Sequence, residues 1–366
     1  MWVTHLTLRN FRTYERAELD LPPGVTVVHG PVGVGKTNML EAIYFGCVGR
    51  SFRTSNDREL VRFGAASALA RVTATSDRER HILEAGLEPG HAKVLKADGV
   101  RAERLSDIDY RPLLCVFAPD RLTLVKGPAG VRRAHLDEVL TALWPARRAA
   151  RSFYARALGQ RNALLGRVRA GVASQSSLGT WNREVASHGF DLMTNRAAAV
   201  GLLREHFASR GLELGLPDPI ELRYRPRSSA ASPEELEREL EQRVASDLER
   251  GFTVHGPHRD DLALLAAGRD LRHFGSQGQQ RLGLLALLLA ERDVLDAERG
   301  KMPILLLDDV MSELDQARRN GLLELLSSGG QALITTADPR APGLTDDRLS
   351  RLRVEPGGAV GLERAA

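Results

Sequence analysis

Gly30-Pro31-Val32-Gly33-Val34-Gly35-Lys36-Thr37 is the stretch on which the fold turns. It satisfies GxxxxGK[ST], and it lies between a short β-branched run at 25–30 (VTVVHG) and a segment of helical composition at 36–45. A buried strand, a glycine turn and a helix N-terminus together make a phosphate cradle. The glycines let successive backbone N–H groups converge, and the helix adds its positive end. In this pattern Lys36 reaches the β- and γ-phosphates of a nucleotide, and the Thr37 hydroxyl ligates Mg²⁺. Residues 30–37, with Asn38 after them, are the expected nucleotide-binding set.

Such a loop needs an acid opposite it. Ile304-Leu305-Leu306-Leu307-Asp308-Asp309 is an apolar run ending in two carboxylates, the pattern of a buried parallel strand that delivers acids to the phosphate end of a sheet. Asp308 is expected to hold the magnesium through water, and Asp309 to orient or deprotonate an attacking water. Between the two stretches, Gly275-Ser276-Gln277-Gly278-Gln279 heads a long apolar helix. Ser276 is a good N-cap, and a glycine-bearing turn there can bind an anion; the residues alone fit a simple cap equally well. Met311-Ser312-Glu313-Leu314-Asp315 is a polar turn before the next helix.

The rest of the chain sets the frame. Its 366 residues are 43% hydrophobic and 27% charged, which excludes disorder and leaves room for two or three domains. Two distant cysteines, Cys47 and Cys115, support neither a disulfide framework nor a zinc site. The charged N-terminus reads as a strand rather than a signal peptide, and no apolar run approaches about 18 residues, so neither membrane insertion nor export is expected; the chain reads as cytoplasmic. Turn signals at Glu88-Pro89-Gly90 and Asp98-Gly99 divide 68–101 into hairpins. From about 130 to 210 the composition is helical, interrupted by a polar loop at 171–180, and residues 220–226 return to strand character. Ser232-Pro233-Glu234-Glu235 then opens an acidic helix with a capping box. The expected fold is α/β, with a nucleotide-binding head at 1–120 and 251–366 and a mainly helical insertion at 121–250. Net charge is only +4, yet residues 121–170 carry eleven basic side chains against two acidic ones. That stretch suits a polyanion, and Arg132, Arg133, Arg147, Arg148 and Arg151 are its candidate contacts.

The ordered set resembles an ABC-type P-loop ATPase: Walker A at 30–37, signature at 275–279, Walker B at 304–309 and D-loop at 312–315. The helical insertion places it nearer the SMC-like branch. Asn10-Phe11-Arg12, GKTNMLEAIYF (35–45), GRSFRT (49–54), the LVKGP…RR…LDE run (124–138) and GPHRDDL (256–262) resemble the RecF recombination mediators, over about residues 3 to 340. The resemblance implies ATP and Mg²⁺ as cofactors and an ATP-dependent homodimer. In that dimer Ser276, Gln277, Gly278 and Gln279 act in trans on the γ-phosphate, and Ser312 and Asp315 form the D-loop. It further implies a weak, DNA-stimulated ATPase whose catalytic residues are Lys36, Asp308 and Asp309. DNA at single-strand gaps or their duplex edges would be the partner, with RecR, RecO and RecA in the same repair and SOS pathway.

There are departures. Val32 and Val34 stand where the family has Asn and Gln, Gln277 replaces a signature glycine, and Thr335 and Thr336 stand where transporters carry a switch histidine. A transporter subunit, a P-loop kinase and a DNA-binding module with unhydrolysed ATP are the competing readings. The helical insertion and the missing histidine disfavour the first, and the signature and D-loop disfavour the second. Arg12 stacks on adenine or is a plain surface residue; both stay open. The motif at 256–262 carries no assigned role, with Arg259 expected to pair with an aspartate.

Overall fold

The computed structural model describes residues 1–76, 79–338, 349–355 and 360–363. The chain divides into two units: 1–121 with 213–215 and 295–366, and 122–212 with 216–294.

The first unit contains two six-stranded sheets. One runs, in spatial order, Val360–Glu363, Ser350–Val354, Val25–His29, Ala332–Thr336, Ile304–Asp308 and Leu114–Phe117. All its neighbours are parallel except the antiparallel pair at the 360–363 edge. Val25–His29 and Ile304–Asp308 are buried at every position, as their unbroken apolar runs require of strands covered on both faces. Ala332–Thr336 lies between them, and the register sets Asp308 opposite Thr335, and Thr336 opposite His29. The glycine turn and the acids therefore leave the sheet at one carboxyl-terminal edge, where open α/β sheets bind ligands.

The second sheet is antiparallel, in the order Tyr14–Asp20, Trp2–Phe11, Ala68–Thr75, Arg80–Leu87, Val94–Ala97 and Val100–Arg101. The helix Lys36–Val48 touches strands of both sheets, and its residues 39–47 are all buried. A helix apolar all round can persist only where it is covered on all sides. Gly46 allows the close approach: a Cβ there would lie 2.5 Å from Val72 Cγ2. The Gln331 amide ties the two sheets together, accepting from Val3 N–H and donating to Val3 O (2.8 Å each) and Pro22 O (3.0 Å). Cys47 and Cys115 are buried and not joined in a disulfide, and burial pushes the Cys47 thiol up to about 12.

The second unit contains the helices Ala129–Leu143, Ala149–Arg169, Pro233–Gln242 and Val244–Arg250, most of the helix Leu178–Glu213, and a three-stranded antiparallel sheet of Arg269–Asp270, Asp261–Ala266 and Ile220–Arg225. The loop expected at 171–180 is shorter, because the chain is helical again from Leu178. Ser232 caps its helix by accepting from Glu235 N–H at 3.2 Å. The Glu235 carboxylate takes the N–H of Ala231 (2.7 Å), one residue earlier than a capping box predicts. Contacts group 216–294, signature turn included, with this unit, whereas the sequence drew a boundary at 250/251. The reason is local: Asp261–Ala266 pairs with Ile220–Arg225 and draws the following residues with it. Among the described residues no helix is long and apolar enough to cross a membrane.

Candidate nucleotide site

The turn after Val25–His29 depends on glycine. Gly30, Gly33 and Gly35 take φ of +150°, +80° and +113°. A Cβ on Gly30 would lie 2.3 Å from Val354 O, and one on Gly35 would lie 2.6 Å from Thr13 Oγ1. Positive φ at all three and these close approaches at Gly30 and Gly35 are why the turn needs glycine there, as a phosphate-binding loop does. Tyr14 Oη donates to Gly35 O (2.9 Å) and fixes the loop at the helix start. Lys36 Nζ folds back over the turn and donates to Gly30 O and Pro31 O, both at 2.8 Å. Burial pulls its ammonium down from the usual lysine range, and the charges of Asp309 and Asp308 oppose that pull.

The acids stand beside the loop. Thr37 Oγ1 donates to Asp308, 2.8 Å from Oδ1 and 3.0 Å from Oδ2. Thr335 Oγ1 donates to Asp308 Oδ1 at 2.6 Å and accepts the N–H of Asp309 at 2.9 Å. One hydroxyl thus fixes a carboxylate and the next residue's backbone. Asp309 takes φ +50° with its side chain exposed, and Ser312 Oγ donates to its carbonyl (2.9 Å). A hydroxyl and a carboxylate brought together form a hard-oxygen donor set suited to Mg²⁺. Sequence reasoning missed Thr335 as a contributor. Its role comes from the central position of its strand, between the loop strand and the acid strand, which only the pairing reveals.

Arg12 is neither on the open surface nor free to move. At φ +51° it forms a bidentate pair with the fully buried Glu41, 2.9 and 2.8 Å. Arg53 reaches the same carboxylate at 3.3 Å and Asn38 Oδ1 at 3.2 Å, and Asn38 Nδ2 donates to Thr13 Oγ1 at 3.1 Å. The GRSFRT stretch and the Asn10-Phe11-Arg12 hairpin thus converge on Glu41, one turn into the loop helix.

The signature turn is a complete capping box. Ser276 Oγ accepts from Gln279 N–H (3.2 Å), and Ser276 N–H donates to Gln279 Oε1 (2.9 Å). Ser276, Gln277 and Gly278 are exposed. In the D-loop, Asp315 caps the helix Gln316–Ser327 by accepting from Arg318 N–H and pairs with Arg318 Nη1, both at 2.9 Å.

The basic stretch separates into two classes, which corrects part of the expectation. Arg132 is buried and bidentate to Asp261 (2.7 and 2.9 Å), so its charge is spent internally. Arg133 is half-buried and donates to Asp260 O at 2.7 Å. Arg147, Arg148 and Arg151 are exposed, with Arg147 lying 4.7 Å over the Trp144 ring and Arg151 within 3.4 Å of Asp137.

A parallel sheet carrying a P-loop and an acid-tipped strand, with a capped signature turn on an inserted unit, defines an ABC-type ATPase head. A family model described as an AAA domain matches residues 5–87. The Smc head bound to the C-terminal winged helix of ScpA shares the fold, with a TM-score of 0.59 at 16% identity. The recombination mediator protein RecF with ATP superposes with a TM-score of 0.88 at 27% identity, covering 99% of this chain and 97% of that one. The DNA replication and repair protein RecF of Streptomyces avermitilis is 39% identical, over 94% of this chain and 96% of its own. That of Heliobacterium modesticaldum is also 39% identical, over 92% of each. The chain belongs to the RecF family of DNA replication and repair proteins.

Proposed function

We propose that this chain is an ATP-operated switch of recombinational repair that binds gapped DNA and works with RecR and RecO to place RecA. The observation that carries the reading is the Thr37–Asp308 contact beside a turn that needs glycine at 30, 33 and 35, in a chain of this family. When bound, ATP with Mg²⁺ supplies a cleavable γ-phosphate and the charge that neutralises it. The backbone N–H groups of Gly30 and of residues 32–37 would hold the phosphate chain, and Lys36 would supply a positive charge beside it. Thr37 and Asp308 hold the metal, and Asp309 orients the attacking water. Arg12 and Asn38 border the nucleotide from the Glu41 side. Turnover is slow and DNA-stimulated, which suits timing rather than work. Arg147, Arg148 and Arg151 meet DNA phosphates, and the protein acts in the cytoplasm.

Two copies close over ATP. Ser276 to Gln279 of one copy face the γ-phosphate held by the other, with Ser312 and Asp315 alongside, so ATP supports the dimer and ADP does not. Sedimentation of wild type and Ser276→Arg with ATP, ADP and no nucleotide tests this reading. It predicts a wild-type dimer with ATP alone and a monomeric variant that still binds ATP. A wild type equally dimeric in all three conditions contradicts it. Asp309→Asn is expected to bind ATP, accumulate the dimer and lose turnover; wild-type turnover in that variant would move the water-orienting role elsewhere.

A further inference from the structure

Gly256-Pro257-His258-Arg259-Asp260-Asp261 makes none of the contacts described above for the phosphate loop, and its residues have very different surroundings. Gly256 takes φ +126°, and a Cβ there would lie 3.0 Å from Tyr154 Oη. Pro257 is buried, and its carbonyl accepts from Arg196 Nη1 at 2.8 Å. The second ring nitrogen of His258, Nε2, lies 2.9 Å from Thr253 O, which can only accept, so Nε2 carries the proton and Nδ1 accepts from Tyr154 Oη at 2.7 Å. Asp260 is fully buried and accepts from Tyr224 Oη, Arg196 Nη1 (3.2 Å) and Arg227 N–H (2.7 Å). Asp261 pairs with Arg132. Five of the six residues are committed inward. The backbone of the sixth is fixed too: Arg259 N–H donates to Gly256 O at 2.9 Å, and Asp260 N–H to Pro257 O at 3.2 Å.

Arg259 is the exception, because its side chain is exposed. It does not pair with an aspartate, as the sequence suggested, but lies 5.5 Å over the ring of Phe252, itself 42% exposed. Arg169 Nη1 comes within 3.1 Å of the Cβ position of Gly251, next to Phe252. Arg133 and Arg259 both lie near enough to His258 to disfavour its protonation, after burial has done most of that. The acids beneath are matched by buried cations: Asp137 and Asp260 by Arg196, Asp247 by Arg161, and Asp261 by Arg132. Among the described residues no carboxylate lies within ion-pair distance of Arg133, Arg169 or Arg259. Arg259 and Arg169 are exposed, Arg133 is half-buried, and an aromatic face stands beside Arg259.

We infer that Arg259 and Phe252 form a contact point for single-stranded nucleic acid, with the phosphodiester on Arg259, Arg169 and Arg133 and a base against Phe252. The buried network is the scaffold that holds this pair rigid. A cation beside an aromatic face is how single strands are held without reading sequence. The inference rests on the DNA-binding reading above and adds a surface to it, separate from Arg147, Arg148 and Arg151 in sequence.

The test uses the full chain with ATP and a labelled oligo-dT, and measures anisotropy against salt. Arg259→Ala is expected to weaken binding about tenfold and to flatten the salt slope by about 0.7, the value of one phosphate contact on a single strand. Phe252→Ala is expected to cost about tenfold with the slope unchanged, and the loss should disappear on an abasic strand. Arg259→Lys restores the slope. Both positions are exposed, so melting temperatures should match wild type. If wild type binds oligo-dT and both alanine variants bind it equally well with the wild-type slope, the surface is misassigned. If wild type binds no DNA under any condition, the broader reading fails first.

Discussion

Aspartates in the two units of this chain live under opposite rules. In the inserted unit, Asp137, Asp247, Asp260 and Asp261 each face an arginine that is itself buried: Arg196, Arg161, Arg196 again and Arg132. In the head, Asp308 is also buried, yet among the described residues it is held by the hydroxyls of Thr37 and Thr335, with the Lys36 ammonium near enough to feel its charge. A buried carboxylate without a paired cation is costly to keep. A fold that supplies arginines for these acids, and for the buried Glu41 of the head, but sets hydroxyls on Asp308 beside a phosphate cradle has left that place for a cation from solution. The arginine-matched acids build the inserted unit, and the hydroxyl-held acid serves the ligand.

Four substitutions test the contrast. The largest effect is expected at Arg196, whose removal strands two acids at once. Arg196→Met should cost about 3–5 kcal/mol in urea unfolding; a cost below about 1 kcal/mol would mean the network is not structural. His258 comes next. Burial first, then Arg259 and Arg133, push its imidazole down to about 4 from 6.5. A depressed histidine binds fewer protons folded than unfolded, so its contribution is complete above pH 6.5 and is lost as pH falls toward 4. Between pH 7 and 5 the wild type should lose about 2 kcal/mol that His258→Gln does not lose; parallel pH profiles would show that the histidine does not titrate this way.

A smaller effect is expected at Thr335. Thr335→Val leaves Asp309 N–H without its hydroxyl acceptor and removes one of the two hydroxyls on Asp308 Oδ1, at about 1–2 kcal/mol. ATP turnover should fall about tenfold while nucleotide affinity holds, and Thr335→Ser should restore both properties. Loss of stability with unchanged turnover would make Thr335 purely structural. The smallest stability effect belongs to Asp308 itself. Asp308→Asn keeps the shape, removes an unmatched buried charge and should shift unfolding by less than about 1 kcal/mol. A loss comparable to that of Arg196→Met would erase the distinction between the two kinds of acid.

Much of the head was legible in the sequence because its motifs state their own geometry. A β-branched run, three glycines at fixed spacing and a lysine leave one arrangement, and an apolar run ending in Asp308 supplies its partner. Thr335 was harder, since its role depends on which strand lies in the middle of the sheet, and strand order is a property of pairing rather than of any one segment. The arginines show the limit most clearly. Arg132 and Arg147 look alike in a basic stretch, yet one is buried against Asp261, 129 residues away, and the other is exposed. Charge runs report composition; only long-range packing decides which charges reach solvent. The motif at 256–262 was visible as a unit, but its inward commitments run to Tyr154, Arg196 and Tyr224, which no local pattern links to it.

The most direct test of the central claim is equilibrium binding of a fluorescent ATP analogue, with and without Mg²⁺, to wild type, Lys36→Met and Asp308→Asn. The account predicts that Mg²⁺ tightens binding to wild type at least tenfold. It predicts that Asp308→Asn binds equally with and without the metal, at the wild-type metal-free affinity, and that Lys36→Met loses affinity under both conditions. A magnesium effect of wild-type size in Asp308→Asn, or unchanged affinity in Lys36→Met, would contradict it.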